Sequence, residues 1–418
     1  MIRQFFRQAW TMMRQHRLFT SIYLMGTAVS IALAMTLFII FYIKLGPVYP
    51  EYNRQRMVVI ENTQECEKHE VGYSSTRGLG ISGKFADLLK REAKSIDKVA
   101  LLSRNQRNRN VETIDKSKKR VENIANVNAE YWQVFNYRFI DGLPFTKEQM
   151  NENVAVISTT LAQELFADTH VAGKSLNIYD TPYRIVGVVE AASGCTPITQ
   201  GNIWTAYTFY NENEFQGHFH AYITSDDVDK CMAEINDAFN RYTQTRPENF
   251  TYTMELEKYW QNALDCDTGT TPFEAMGKYL YILLAFLFIP ALNLSGMISS
   301  RMDSRLDEIG VRKAYGATNS EIITQVLWEN LLLTIVGTIL GVALCYIVVI
   351  TCSSWITAFF DTRINDLSPR EINADMLLNP TVIICIVSLT FVLNIASALV
   401  PTLVALKKDI IQSLYHRR

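Results

Sequence analysis

Four long stretches of this chain carry no charged residue, and they restrict its fold more than any other feature. Arg17 and Lys44 bracket residues 18–43, and Lys278 and Arg301 bracket 279–300. Glu329 and Asp361 bracket 330–360, and Asp375 and Lys407 bracket 376–406. A helix rising about 1.5 Å per residue needs roughly 20 apolar residues to cross a hydrocarbon core of about 30 Å. Every run is long enough, and soluble proteins rarely bury four charge-free helices of this length. The reading is a multi-span α-helical membrane protein with four transmembrane helices. The first run resembles a signal peptide, with Arg3, Arg7, Arg14 and Arg17 ahead of it and Ala32-Leu33-Ala34 as a cleavage-like site. Apolar sequence continues past that site through residue 43, which favours an uncleaved anchor.

The 418 residues carry a net charge of −2, but their charges are unevenly placed. Residues 1–17 hold four arginines and no acid, the 301–329 segment holds Arg301, Arg305, Arg312 and Lys313, and the 407–418 tail holds Lys407, Lys408, Arg417 and Arg418. Basic residues in short flanks mark the cytoplasmic side. Both termini and 301–329 are therefore expected in the cytoplasm, leaving 44–278 and the short 361–375 loop outside. Residues 1–17 also place Ile2, Phe5, Phe6, Ala9, Trp10 and Met13 at helical spacing between the arginines. That pattern fits an amphipathic helix on anionic lipid or an extension of the first span.

The outer segment 44–278 reads as a large α+β domain. Residues 57–60, 99–102, 153–157 and 183–189 are apolar runs fit for buried strands. Helical patterns cover 83–94, 159–167 and 226–242. Residues 104–120 read as an exposed hairpin or loop, with the basic run from Lys116 to Arg120 as a solvated turn; nucleic acid is not expected as a partner. Cys66, Cys195, Cys231 and Cys266 form an even set in an oxidising compartment, which permits two disulfides in any of three pairings. Cys345, Cys352 and Cys385 lie in or near apolar runs and read as packing residues.

Enzyme-like motifs fail on inspection. The run from Gly78 through Gly83 and Lys84 resembles a phosphate loop but continues with Phe85 where a hydroxyl is needed. Gly173-Lys174-Ser175 has the hydroxyl, but Asp168 stands in the first glycine position. His218 and His220 lack a third metal ligand in view. No catalytic constellation, cofactor site or metal site is expected on this chain.

Within 301–327, an apolar stripe of Ile309, Val311, Ala314, Tyr315, Ile322, Ile323 and Val326 runs among charged residues. Gly316 and Ala317 interrupt it, and Thr318 or Asn319 can cap a second helix leading into the third span. In the spans, Gly337 and Gly341 are spaced for close helix approach, in a dimer or simply as span glycines. Asn293 and Asn394 each need a partner within lipid.

The run Glu308-Ile309-Gly310-Val311-Arg312-Lys313-Ala314-Tyr315-Gly316-Ala317 resembles the signature of MacB/FtsX-type ABC-transporter permeases. Ala291-Leu292-Asn293 and residues 331–341 are similar to the same permease domain. Residues 126–141, 153–166 and 173–189 resemble the MacB-type extracytoplasmic domain in order and spacing. The C-terminal residues Ile410, Ile411, Gln412, Ser413 and Leu414 match the family pattern poorly, and 61–82 matches no part of it.

The resemblance implies a permease half in the cytoplasmic (inner) membrane, working with a cytoplasmic ABC ATPase dimer and a second permease copy or paralogue. A periplasmic adaptor and an outer-membrane channel are further candidate partners. Glu308, Gly310, Arg312, Lys313, Ala314, Gly316 and Ala317 would form the ATPase-coupling element. The chain offers no room for an ATPase domain, so ATP and Mg are expected on the partner. The implied role is mechanical transmission that exports peptides, antibiotics or other amphiphiles. Lipoprotein release, or a relay controlling a wall hydrolase or sensor kinase, would use the same architecture.

Overall fold

The first apolar run folds as one continuous helix, α1 (Arg17–Leu45). The computed structural model describes residues 17–69, 72–77, 80–193, 196, 198–199, 201–206, 215, 217–268, 311 and 315–352, with scattered positions in 271–288 and 380–403. The chain divides into two compact units. One comprises Met1–Tyr42, Phe273–Ile356 and Ile372–Arg418; the other comprises Ile43–Pro272 and Thr357–Glu371. Among the described residues, two stretches are long and apolar enough to cross a membrane, Thr20–Leu45 and Leu333–Thr351. The runs at 279–300 and 376–406 lie largely outside the described residues.

In the outer unit, strands covered on both faces must be apolar at successive positions. β6 (Val154–Ser158) is buried throughout, and β8 (Thr181–Val189) becomes so towards its end. Eleven described strands form one sheet, ordered β11-β1-β10-β3-β4-β9-β6-β8-β5. The remaining strands of this path are β1 (Met57–His69), β3 (Lys98–Thr113), β4 (Lys119–Val127), β5 (Phe139–Gly142), β9 (Ile203–Ala206), β10 (His220–Thr224) and β11 (Phe250–Lys258). β2 (Gly72–Arg77) pairs with β1, and β7 (Ser175–Ile178) bridges β3 and β8.

That bridge closes six strands, β3-β4-β9-β6-β8-β7, into a ring. Val111, Ile124, Ala155, Ile157, Leu176, Ile185 and Ile203 fill one face together with Leu161, Ala162 and Leu165 of α4 (Thr159–Phe166). The alternate residues Val154, Val156 and Trp204 face a second core rich in aromatics, with Trp132, Tyr137 and Phe145. This parity follows from the two-residue period of a strand. A third core lies where β1, β3 and β10 meet α2 (Gly83–Glu92) and α5 (Val228–Gln244), with Phe85, Phe215 and Tyr242 in mutual ring contact. α3 (Tyr131–Val134) is a single turn, and α6 (Tyr259–Thr268) follows β11.

Side-chain caps fix the helix starts: Ser82 accepts from the Phe85 amide, Ser158 from Leu161 and Asp227 from Lys230. The 104–120 stretch is the end of β3, a turn and the start of β4, with Lys116 at φ 56 in the turn. The 61–82 stretch contains the end of β1 and β2, paired antiparallel.

Glu130, just before α3, is buried and holds two lysines at once. It pairs with Lys90, lies 3.2 Å from Lys147 Nζ, and accepts from the Val99 amide at 3.1 Å. Burial pushes its carboxyl up, but the lysines and the amide outweigh burial and hold it below the usual carboxylate range. A depressed carboxyl contributes stability that is complete above its unfolded value, about 4.3, and is lost as pH falls through the lower folded value. Tryptophan-fluorescence melts of the full chain in detergent should therefore show a midpoint that drops on acidification below that value. Glu130→Gln should flatten the drop; an unchanged acid limb would remove Glu130 from the account.

Candidate functional site: the 301–327 segment and the helix it feeds

The described part of this segment is a helix end, a sharp turn and a new helix. The Tyr315 amide donates to the Val311 carbonyl at 3.1 Å, a helical bond. Four residues apart, these two share a helix face, and both are open: Val311 is 50% and Tyr315 90% exposed. Gly316 follows at φ +91. A Cβ there would meet nothing within 4 Å, so backbone conformation and not space demands glycine.

Two residues on, Thr318 opens α7 (Asn319–Thr351) with a reciprocal capping box. Its hydroxyl accepts from the Glu321 amide at 3.3 Å, while Glu321 Oε2 accepts from the Thr318 amide at 2.9 Å. Thr318 is therefore the cap and Asn319 the first helical residue. Gly316→Ala should cost about 1–2 kcal/mol locally, because a left-handed backbone brings Cβ against the carbonyl. Hydrogen exchange across 311–321 should accelerate about 5–30-fold; unchanged exchange would mean the turn does not need this conformation.

α7 continues from this turn into an apolar stretch packed against α1. A Cβ on Gly337 would lie 2.9 Å from Thr27 Cγ2, and one on Gly341 would lie 2.8 Å from Ile31 Cβ and 2.9 Å from the Ala28 carbonyl oxygen. The small-residue pair therefore lies against α1 within the chain. Further along, Thr36 Oγ1 and Cys345 Sγ lie 3.4 Å apart; Cys345 is buried, as a packing residue would be, whereas Cys352 and Cys385 are exposed. Thr27, Ala28 and Ile31 carried no signal in the sequence beyond being part of an apolar run.

Of the residues assigned to the coupling element, Gly316 and Ala317 are described; Glu308, Gly310, Arg312, Lys313 and Ala314 lie outside the described residues, as do Asn293, Asn394 and Cys195. Cys66 and Cys231 are free thiols, which departs from the two-disulfide expectation. Cys231 is fully buried in the α5 core, where burial pushes its thiol up while Ser95 and Ser225 bond it. Cys66 is half-buried on β1 between β2 and β11. Cys266 lies on α6, with its side chain outside the described residues.

The phosphate-loop look-alikes have other duties. The Ile81 and Ser82 amides donate to the Phe219 and Phe215 carbonyls, and the Gly173 and Lys174 amides to Ile185 and Val171. His220 Nδ1 lies 3.6 Å from Glu61. Among the described residues, no group of three His, Cys, Asp or Glu side chains could hold a metal.

Comparison with known families decides the membership. Residues 20–238 match the MacB-like periplasmic core domain, and residues 280–410 match the FtsX-like permease C-terminal domain. The chain belongs to the MacB/FtsX-type ABC-transporter permeases. The periplasmic core match takes in α1 and most of the outer unit, and the permease match takes in the capped turn and α7.

Among relatives of this MacB/FtsX-type permease, the macrolide export ATP-binding/permease protein MacB of Acinetobacter baylyi is 24% identical over 358 residues, covering 81% of this chain and 50% of that protein. The uncharacterized ABC transporter permease YknZ of Bacillus subtilis is 22% identical over 237 residues, covering 53% of this chain and 56% of that protein. The chain spans about a third to about half of the length of the curated MacB relatives it matches. The periplasmic region of MacB from Actinobacillus actinomycetemcomitans aligns with 48% of this chain and 89% of its own, at 16% identity and a TM-score of 0.34. The family is one of membrane permeases with an extracytoplasmic domain.

Proposed function

We propose that this chain is one permease half of an ATP-driven exporter, crossing the membrane four times with both termini in the cytoplasm. ATP hydrolysis occurs on a separate ATPase dimer. The 301–327 segment docks that ATPase, and its motion passes through the helices to the outer unit, which acts on peptides, antibiotics or other amphiphiles.

The observation that carries this reading is the capped turn. Gly316 ends one helix, the Thr318–Glu321 box starts the next within two residues, and α7 runs on without interruption from the turn into an apolar, membrane-length stretch. A load applied to the turn has no slack loop to dissipate in before it reaches that stretch. Exposed Val311 and Tyr315 on one face leave apolar surface for a partner. The MacB relatives are named for macrolide export and YknZ as an ABC transporter permease, which supports an export role for this chain.

Solubilised full-length chain pulled down from its native membranes should recover an ABC ATPase in stoichiometric amount. Recovery of the chain with no ATPase under mild detergent would contradict the reading.

A further inference from the structure

Glu51 and Arg54 are charged, adjacent in sequence to the end of α1, and fully buried together. Glu51 Oε1 accepts from the Ile198 amide at 3.2 Å, the Thr199 amide at 3.0 Å and the Thr199 hydroxyl at 2.7 Å. Its other oxygen takes Arg54, with Nε at 2.9 Å and Nη2 at 2.8 Å. Arg54 Nη1 donates to the carbonyl oxygens of Ile43 and, at 2.9 Å, Gly46. The guanidinium carbon sits 5.1 Å from the ring centroid of Tyr259, the first residue of α6, whose hydroxyl donates to the Lys44 carbonyl at 3.3 Å. From the other side, the Tyr137 hydroxyl donates to the Thr199 carbonyl at 2.8 Å.

One ion pair therefore gathers three segments of the outer unit. The last turn of α1 is where the chain enters the unit, α6 lies near where it leaves, and the 198–199 stretch belongs to neither. Stability alone is a poor reason for this arrangement, since apolar residues of like volume often serve as well as a buried ion pair. What a guanidinium adds is geometry, because its planar fork fixes several acceptors in direction as well as distance.

We propose that Glu51 and Arg54 are positioning residues for transmission, locking both chain connections of the outer unit to Ile198 and Thr199 so that displacement of either connection moves that stretch with it. The inference rests on the transmission reading above. It goes further by naming the residues through which motion enters the outer unit.

The test uses full-length chain copurified with its ATPase in lipid nanodiscs, followed by hydrogen exchange with and without Mg-ATP and vanadate. In the native protein, trapping nucleotide should change exchange at 43–46, 198–199 and 259–264 together. In Glu51→Leu/Arg54→Met, the change at 198–199 should fall about tenfold, while β6 and α5 keep native protection. Arg54→Lys, which keeps the charge and loses the fork, should give an intermediate response and guards against misfolding of the double variant. A native-sized nucleotide response at 198–199 in either variant would overturn the inference, including when its melting temperature has dropped, since that pattern marks a purely structural role. A native protein whose outer unit shows no nucleotide response at all would overturn the transmission reading itself.

Discussion

Glu51→Leu is expected to destabilise the outer unit by about 3–5 kcal/mol, because it leaves the Arg54 cation buried without its counter-ion. The loss compounds at the Ile198 and Thr199 amides, which donate to Glu51 and are themselves buried. Arg54→Met should cost a similar amount, leaving the carboxylate uncompensated and the Ile43 and Gly46 carbonyls short of a donor. The double variant should be more stable than either single one, since no isolated charge remains. It should not reach the native value, because the backbone groups at both ends still lack partners. A double-mutant cycle on the full chain, read from chemical or thermal unfolding in detergent, gives the coupling directly. Single variants each within about 1 kcal/mol of native would show that water reaches the pair and screens it.

The second large effect belongs to the glycine contact between α1 and α7. Gly341→Leu asks for a side chain where a Cβ alone would sit 2.8 Å from Ile31 and 2.9 Å from the Ala28 carbonyl oxygen. Overpacking of a close contact costs about 1–3 kcal/mol, and more where backbone is the obstacle. The two helices must separate, and membrane helix association has no hydrophobic effect to restore it. Membrane abundance and melting temperature should both fall. Gly341→Ala should show the same trend with smaller size, and Ile31→Ala combined with Gly341→Ala should recover part of the loss. Native melting behaviour for Gly341→Leu would mean that the helices do not meet at this position.

Legibility in the sequence followed how local the physical cause is. β6 was readable because it is covered on both faces, so its apolar residues are consecutive. β11, Phe250–Lys258, is only half-covered on the face of Phe250, Tyr252, Met254 and Leu256, with threonines and acids on the other, so its alternation carries a weaker apolar signal than a fully buried strand. β9 and β10 are four and five residues long and offer little pattern to read. Ring closure depends on β7 pairing with β3, strands more than sixty residues apart, and no local pattern encodes such a partner. The capped turn was legible, down to a choice between Thr318 and Asn319, because caps are local chemistry. Glu51 and Arg54 were invisible for the opposite reason. Charged residues just beyond an apolar run read as a solvated exit, and only tertiary contacts at 43–46, 198–199 and 259 reveal that they are buried.

The claim that 301–327 couples this permease to an ATPase is tested most directly by reversing charge at Arg312 and Lys313. The measurement is ATP turnover by the copurified ATPase in nanodiscs with native permease or with Arg312→Glu/Lys313→Glu. The variant should fold, reach the membrane at native abundance, and lose the permease-dependent part of ATP turnover. Full stimulation by the variant would contradict it.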